Sequence, residues 1–341
     1  MKKNHVFAPY VFAGGVDALR VRDIERITHL NFAFMLIKDG KGDLSHIKPG
    51  VLDSIRACKR INPDLKLVVS IGGWGAGGFS NACMTDEGVE KLASSTVELA
   101  LKEGFDGVDV DWEYPCSGVA GIDYSPKDKE NFTKFLKALR KHLDAAGEGR
   151  PLTIAVGASQ SCIDSMEIPE FIDCLDYVNL MTYDMRSHYT DECTGHHTNL
   201  YAQSGDPTGP SSENTVEIYH KAGVPYEKLV LGSAFYGKGW TGCNSWANNG
   251  LGVKAGPLGR VQVGGSYEGI KALIGKDGYV RFWDDNAKAP YLYNGENFIS
   301  YEDPDSISYK CDFIREKGLA GLMYWAYGSH DLFEAVVANL D

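Results

Sequence analysis

The 341-residue chain is long enough for one large α/β domain with an insertion or for two domains, and its 43% hydrophobic and 23% charged residues are those of a folded protein rather than a disordered one. A formal net charge of −12 and a pI near 5.2 exclude the basic face that a nucleic acid or an anionic membrane requires, and suit a neutral or cationic ligand. The eight cysteines (Cys58, Cys83, Cys116, Cys162, Cys174, Cys193, Cys243 and Cys311) contain no Cys-x-x-Cys and no close Cys/His spacing, which speaks against zinc, and no run approaches the roughly 20 apolar residues of a membrane span.

Lys2 and Lys3 followed by Val6 to Ala13 have the outline of a short leader, but Pro9 and Tyr10 interrupt it, so the segment reads as a first strand. The expectation is an intracellular protein, or one whose leader is absent from this sequence. Apolar runs of strand length then alternate with segments of helical length. The eight runs are Val6 to Phe12, Ile27 to Ile37, Lys66 to Trp74, Phe105 to Glu113, Leu152 to Ser159, Tyr177 to Asp184, Leu229 to Tyr236 and Gly321 to Tyr327. Between them, single helical faces collect Leu52, Ile55 and Cys58; Val89, Leu92, Thr96 and Leu99; and Phe132, Phe135, Leu136, Leu139 and Leu143. Asn62-Pro63 ends one helix, Ser125-Pro126 opens another, and Gly104 and Gly223 fall just past helix ends. Eight βα units predict an α/β fold, a TIM (β/α)8 barrel with its chemistry at the C-terminal ends of the strands. Alternation alone also allows a doubly wound sheet. The run ends decide for the barrel: Ser70 to Trp74, Asp111 to Glu113, Met181 to Asp184, Phe235 to Gly237 and Met323 to Trp325 are all polar or aromatic, and only a closed barrel brings them into one ring.

The interval from Lys238 to Glu302 breaks the rhythm, because a βα loop is usually a few residues long. It is glycine-rich, at Gly250, Gly252, Gly256, Gly259, Gly264 and Gly265. It also contains strand-like Tyr279 to Trp283, Tyr291 to Tyr293 and Phe298 to Tyr301, with a helical candidate at Tyr267 to Ile274. It reads as an α+β insertion forming a cleft wall, which divides the chain into a barrel (1–237 and 303–341) and an insertion (238–302).

The fourth run carries the strongest chemical signal. Side chains alternate along a strand, so Asp109, Asp111 and Glu113 share one face while Val108, Val110 and Trp112 share the other. Buried carboxylates are heavily penalised unless paired, hydrogen-bonded or protonated, so a file of them on one strand face marks a site. Asp106 has the opposite parity, and reads either as a strand-start residue bonded to loop backbone or as a catalytic group.

The chain strongly resembles glycoside hydrolase family 18, the chitinases and their relatives. Asp-x-x-Asp-x-Asp-x-Glu is met at Asp106, Asp109, Asp111 and Glu113; Ser-x-Gly-Gly at Ser70, Gly72 and Gly73; Met-x-Tyr-Asp at Met181, Tyr183 and Asp184; and a Trp ends the eighth strand at Trp325. Two departures are Ala8-Pro9-Tyr10, where many members have Gly-Tyr-Tyr, and Lys238, where Arg is common and would make a bidentate bond that Lys cannot. The resemblance implies hydrolysis of β-1,4 bonds between N-acetylglucosamine units of chitin or its oligomers, without metal or organic cofactor. It implies retention through an oxazolinium ion formed by the substrate's own acetamido group, an exception among glycosidases. Glu113 would be the general acid and base, Asp111 would turn to bind the acetamido N–H, Asp109 would hold the proton that allows this, and Tyr183 would orient the acetamido group. Tyr10, Phe34, Trp74, Met181, Asp184, Tyr236 and Trp325 would line the sugar pocket, and Trp240, Trp246 and Trp283 are candidates to extend it. Ser70 would hydrogen-bond the inner Asp pair.

The partners implied are chitin or N-acetylglucosamine oligosaccharides, with no nucleic acid and no membrane, and the protein is expected to be a monomer; a polymeric substrate favours an extracellular enzyme. Two alternatives stay open: an endo-β-N-acetylglucosaminidase acting on N-glycans, and a non-hydrolytic chitin-binding lectin, which typically replaces the acid that Glu113 retains. Gly237-x-Gly239-x-x-Gly242 matches a dinucleotide fingerprint only in letters, since no helix pattern follows it. His196-His197 lacks the further spaced ligands of a metal site.

Overall fold

In the computed structural model, which describes residues 5–257 and 264–341, the eight apolar runs become eight parallel strands. They are β1 (Val6–Phe12), β2 (His29–Lys38), β3 (Lys66–Gly72), β4 (Gly107–Asp111), β5 (Leu152–Gly157), β6 (Tyr177–Met181), β7 (Leu229–Ala234) and β8 (Gly321–Trp325). Each pairs with its neighbours, and β1 pairs with both β8, at Val6↔Gly321, and β2, at Tyr10↔Asn31. That closure makes the expected TIM barrel. Lys2, Lys3 and Gly259, which figure in the sequence reading, lie outside the described residues.

Several strands stop short of their apolar runs. β4 ends at Asp111, so Glu113 stands in the turn beyond it; β3 ends at Gly72, before Trp74; and β6 ends at Met181, before Tyr183. The run ends are thus loop residues at the barrel mouth.

Helices Pro49–Ile61, Asp86–Lys102 and Asp128–Ala145 turn their periodic faces to the barrel, burying Leu52, Ile55 and Cys58, then Val89, Leu92 and Thr96, then Phe132, Phe135, Leu136, Leu139 and Leu143. Leu99 is only partly buried. Gly104 and Gly223 adopt positive φ just past two helices, the left-handed conformation that ends a helix at little steric cost to glycine. The apolar face of β4 joins this outer layer, where Trp112 stacks on Phe79 at 4.9 Å and meets Phe132 edge-on. A second, smaller core of Ala8, Tyr10, Ala155, Tyr177, Met181, Val230 and Met323 fills the barrel interior.

After β7 the chain forms an antiparallel sheet in the order Gly264–Ser266, Tyr236–Trp240, Phe298–Ser300, Ala289–Tyr293, Val280–Asp284, with a helix at Tyr267–Lys271. The sequence reading anticipates the last three strands and the helix. It misses Tyr236–Trp240, whose Tyr-Gly-Lys-Gly-Trp has poor strand propensity. Close packing explains the glycine: a Cβ at Gly237 would lie 2.4 Å from Ile270 and 2.9 Å from the Ser300 carbonyl oxygen. A second long excursion was also not anticipated, because it has no periodicity. Segment 182–211 after β6 holds no helix or strand and folds against the insertion, with Leu200 N–H on the Ala287 carbonyl (3.1 Å) and Thr194 N–H on that of Val253 (2.9 Å).

Candidate active site

At the C-terminal mouth of the barrel lies a cleft of about 460 Å³ lined by Asp111, Glu113, Tyr183, Asp184, Tyr236 and Trp325, with Tyr10, Phe34, Trp74, Ala155 and Met181 completing it. Every expected pocket residue is on that wall. Asp109 lies underneath, fully buried.

The alternation of β4 produces this stacking. Asp109 sits in register with Ser70 on β3 and Thr153 on β5, so a row of short polar side chains crosses the barrel interior at its level. Four donors converge on its carboxylate: Ser70 Oγ (2.7 Å), Thr153 Oγ1 (2.6 Å), Tyr10 OH (2.9 Å) and Asn179 Nδ2 (3.2 Å). Burial pushes the Asp109 pKa up, and those hydrogen bonds pull against it by favouring the charged form. Two residues on, Asp111 is buried with its Oδ1 unpartnered. Burial, then the charges of Glu113 and Asp109, raise its pKa well above the usual carboxylate range. Glu113, nearest the opening, is raised to about 7, chiefly by burial, with Tyr114 hydrogen bonding opposing and the charge of Asp184 adding to it. Burial and mutual repulsion thus both favour the protonated form of Asp111, and Glu113 titrates near neutrality, where an ordinary carboxyl has already lost its proton.

Asp184 is tuned in the opposite direction. Its Oδ1 accepts from Tyr236 OH at 2.6 Å and lies 2.8 Å from Lys238 Nζ and 3.5 Å from His197 Nδ1. Burial would raise its pKa, yet His197 and the Lys238 ammonium reverse this and hold it well below the carboxylate range. Burial lowers the pKa of His197 itself, so the imidazole is neutral and Lys238 supplies the lasting positive charge. Lys238 thus makes a single-point contact to Asp184.

The aromatic floor is built from three strands: Trp325 stacks on Phe34 at 5.5 Å and 17° and tilts against Tyr10 at 5.9 Å, while Trp74 stands 62% exposed at the rim. Tyr183 meets Tyr236 edge-on at 6.4 Å. The Phe34 ring covers the turn just past β3 and needs glycine there, since a Cβ on Gly73 would fall 2.7 Å from it.

The remaining candidates separate. Asp106 lies away from the cleft, accepting from Leu67 N–H (2.8 Å) and paired with Lys59 (2.9 Å), a strand-start role. Trp240 is 1% exposed and packs edge-on against Phe298, so it belongs to the insertion core. Trp246 is 57% exposed against Tyr293, and Trp283 lies under the Arg281 guanidinium; neither lines the cleft. His196 pairs with Asp284 at 3.3 Å, and among the described residues no group of three or more His, Cys, Asp or Glu is placed to hold a metal. Residues that the sequence reading missed are Thr153, Asn179, Ala155 and His197. Thr153 and Asn179 left a signal, a polar residue inside an apolar run; His197 left none.

Comparison with known proteins places these features in context. The sequence pattern of the family described as Glycosyl hydrolases family 18 matches residues 7–330. Chitinase A1 of Niallia circulans is 39% identical over 295 residues, covering 81% of this chain and 42% of its own, and an endochitinase of Manduca sexta is 30% identical over 346 residues, covering 94% and 62%. The chain therefore spans less than two thirds of either relative. The solved structure of a glycoside hydrolase family 18 N-acetylglucosaminidase from Paenibacillus barengoltzii superposes with a TM-score of 0.92 at 41% identity, covering 98% of this chain and 99% of that one.

Proposed function

The chain belongs to glycosyl hydrolase family 18, and we propose that it is a chitinase, hydrolysing β-1,4 linkages between N-acetylglucosamine units with retention and with assistance from the substrate's acetamido group. The observation that carries this reading is the graded file on β4 and its turn: Asp109 saturated by four donors, Asp111 buried with a free oxygen, and Glu113 at the opening with a pKa raised to about 7. An acid working near neutral pH needs such a value. No second carboxylate serves as nucleophile in this scheme; the acetamido carbonyl attacks C1 as Glu113 protonates the leaving oxygen, and Glu113 then takes a proton from the water that opens the oxazolinium ion. Before substrate binds, the four donors favour ionised Asp109, so the proton of the inner pair rests on Asp111. When Asp111 turns to accept the acetamido N–H, that proton passes to Asp109. Tyr183 orients the acetamido group, and the Phe34–Trp325–Tyr10 surface stacks under the apolar face of a sugar.

Glu113→Gln should cut kcat by about 10²- to 10⁴-fold, the usual contribution of a general acid and base, while calorimetry still detects oligosaccharide binding. Unchanged turnover would remove the proposed acid. Asp111→Asn should also lower kcat sharply, and hydrolysis of substrates lacking the 2-acetamido group would contradict substrate assistance. A second reading, release of single residues from chain ends, is supported by the end-to-end match to the P. barengoltzii N-acetylglucosaminidase. Products from N-acetylglucosamine hexamer separate the two: monomer alone at early times favours end release, and a ladder of shorter oligomers favours internal cleavage.

A further inference from the structure

The ladder between β6 and β7 runs in register through Leu180↔Leu231 and then stops. Thr182 N–H turns back to the Leu180 carbonyl (2.8 Å), and the Thr182 side chain takes over the missing pairing: its hydroxyl accepts from Gly232 N–H (3.0 Å) and donates to the Gly232 carbonyl (2.8 Å). This turn carries Tyr183 and Asp184 into the cleft, Asp184 at φ +56°. Gly232 has to be glycine, because a Cβ there would fall 2.2 Å from the Leu180 carbonyl oxygen.

Against this turn sits an ion pair with almost no access to solvent. Lys310, on helix Pro304–Lys317, and Glu302, just before that helix, each have side chains 1% exposed. The Lys310 ammonium bonds Glu302, the Thr198 hydroxyl (3.0 Å) and the Gly232 carbonyl (3.3 Å), which uses all three of its N–H groups. The second Glu302 oxygen accepts from Ser306 Oγ (2.6 Å). Thr198 Oγ1 lies 2.9 Å from Glu302 and 3.2 Å from the Thr182 carbonyl oxygen. One residue earlier, His197 bonds Ser300 through its N–H (3.0 Å) and stands beside Asp184. The contacts are continuous from the insertion, through segment 197–198, to the turn that presents Tyr183.

A charge pair this deep is a poor source of stability, since desolvation offsets its attraction and an apolar pair of similar volume does as well. What an apolar pair lacks is directed bonds ending on Thr198 and Gly232, the partners that tie Thr182 to the segments beyond its own strand. We infer that the Lys310–Glu302 pair is a positioning device, acting through Thr198 and Gly232 to fix the turn that aims Tyr183 and Asp184 at the sugar. The inference rests on the chitinase reading of the cleft.

The test is kcat, KM and melting temperature on an N-acetylglucosamine oligomer for wild type, the double variant Lys310→Met with Glu302→Leu, and Thr198→Val. The double variant leaves no charge unpaired, so it should melt near wild type while kcat falls about tenfold or more with KM changed far less, the mark of lost orientation rather than lost binding. Thr198→Val should move kcat in the same direction. A folded double variant with wild-type kcat overturns the inference. If the double variant does not fold, unchanged kcat in Thr198→Val overturns it alone. Wild-type protein that cleaves no N-acetylglucosamine oligomer overturns the chitinase reading and this inference together, whereas active wild type with equally active variants overturns this inference only.

Discussion

The Asp184 carboxylate stays ionised across the working range because Lys238 and His197 outweigh the effect of its burial. Its negative charge therefore persists beside Glu113, where it adds to the burial that lifts the Glu113 pKa to about 7. A general acid is active while protonated, so kcat/KM should fall as pH rises through about 7. The pKa read from such a pH–rate profile would belong to the interacting Glu113 and Asp111 together. Asp184→Asn removes the negative neighbour and leaves the Lys238 ammonium unbalanced. Both changes favour ionised Glu113, so the basic limb should move toward lower pH; a limb that stays in place in a pH–rate series would show that Asp184 does not tune the acid.

At the scale of elements, the site depends on where strands end. β3 finishes at Gly72, whose φ is +116° and whose added Cβ would fall 2.1 Å from the Asp111 carbonyl oxygen. Gly72→Ala thus meets both an unfavourable backbone conformation and a backbone clash that no side-chain rotation relieves. It should destabilise by about 2 kcal/mol or more and displace the β4 end that carries Asp111, read out as a lower denaturation midpoint and a kcat loss greater than the unfolded fraction explains. Composition made such elements legible unequally. The period-two alternation from Val108 to Glu113 already separated an acidic from an apolar face, and the structure sends one inward and the other to Phe79 and Phe132. Tyr236–Trp240 was illegible as a strand because its two glycines lower its local propensity, while Gly237 answers to tertiary crowding. Segment 182–211 was illegible because a loop held by hydrogen bonds to another segment leaves no period in its own sequence.

For the whole molecule, barrel closure was legible because chemistry-bearing residues recur at the end of one run after another, and only a ring brings them together. What single runs could not reveal is the set of contacts between distant segments, such as His197 with Asp184 and Glu302 with Lys310. These contacts also divide the insertion by consequence. Tyr236 and Lys238 touch Asp184, and Ser300 and Glu302 brace segment 197–198, so the two strands nearest the barrel are tied to the site. The outer strands Val280–Asp284 and Ala289–Tyr293 contribute no residue to the cleft lining. Trp240 and Phe298 are direct antiparallel partners, so joining them by a two-residue Asn-Gly turn would excise 241–297 and leave a hairpin of standard geometry. If the outer part is a cleft wall for long substrates, this variant should keep kcat on the trimer within about threefold and raise KM for the hexamer about tenfold or more, a loss of uniform binding. A far-ultraviolet melt establishes that the barrel is folded. A folded variant that loses kcat on the trimer would instead place the excised part in support of the Asp184 side of the site, since its removal also strips the Asp284 contact from His196, the Val253 and Ala287 carbonyls from segment 182–211, and strand Gly264–Ser266 from its pairing with Tyr236–Lys238.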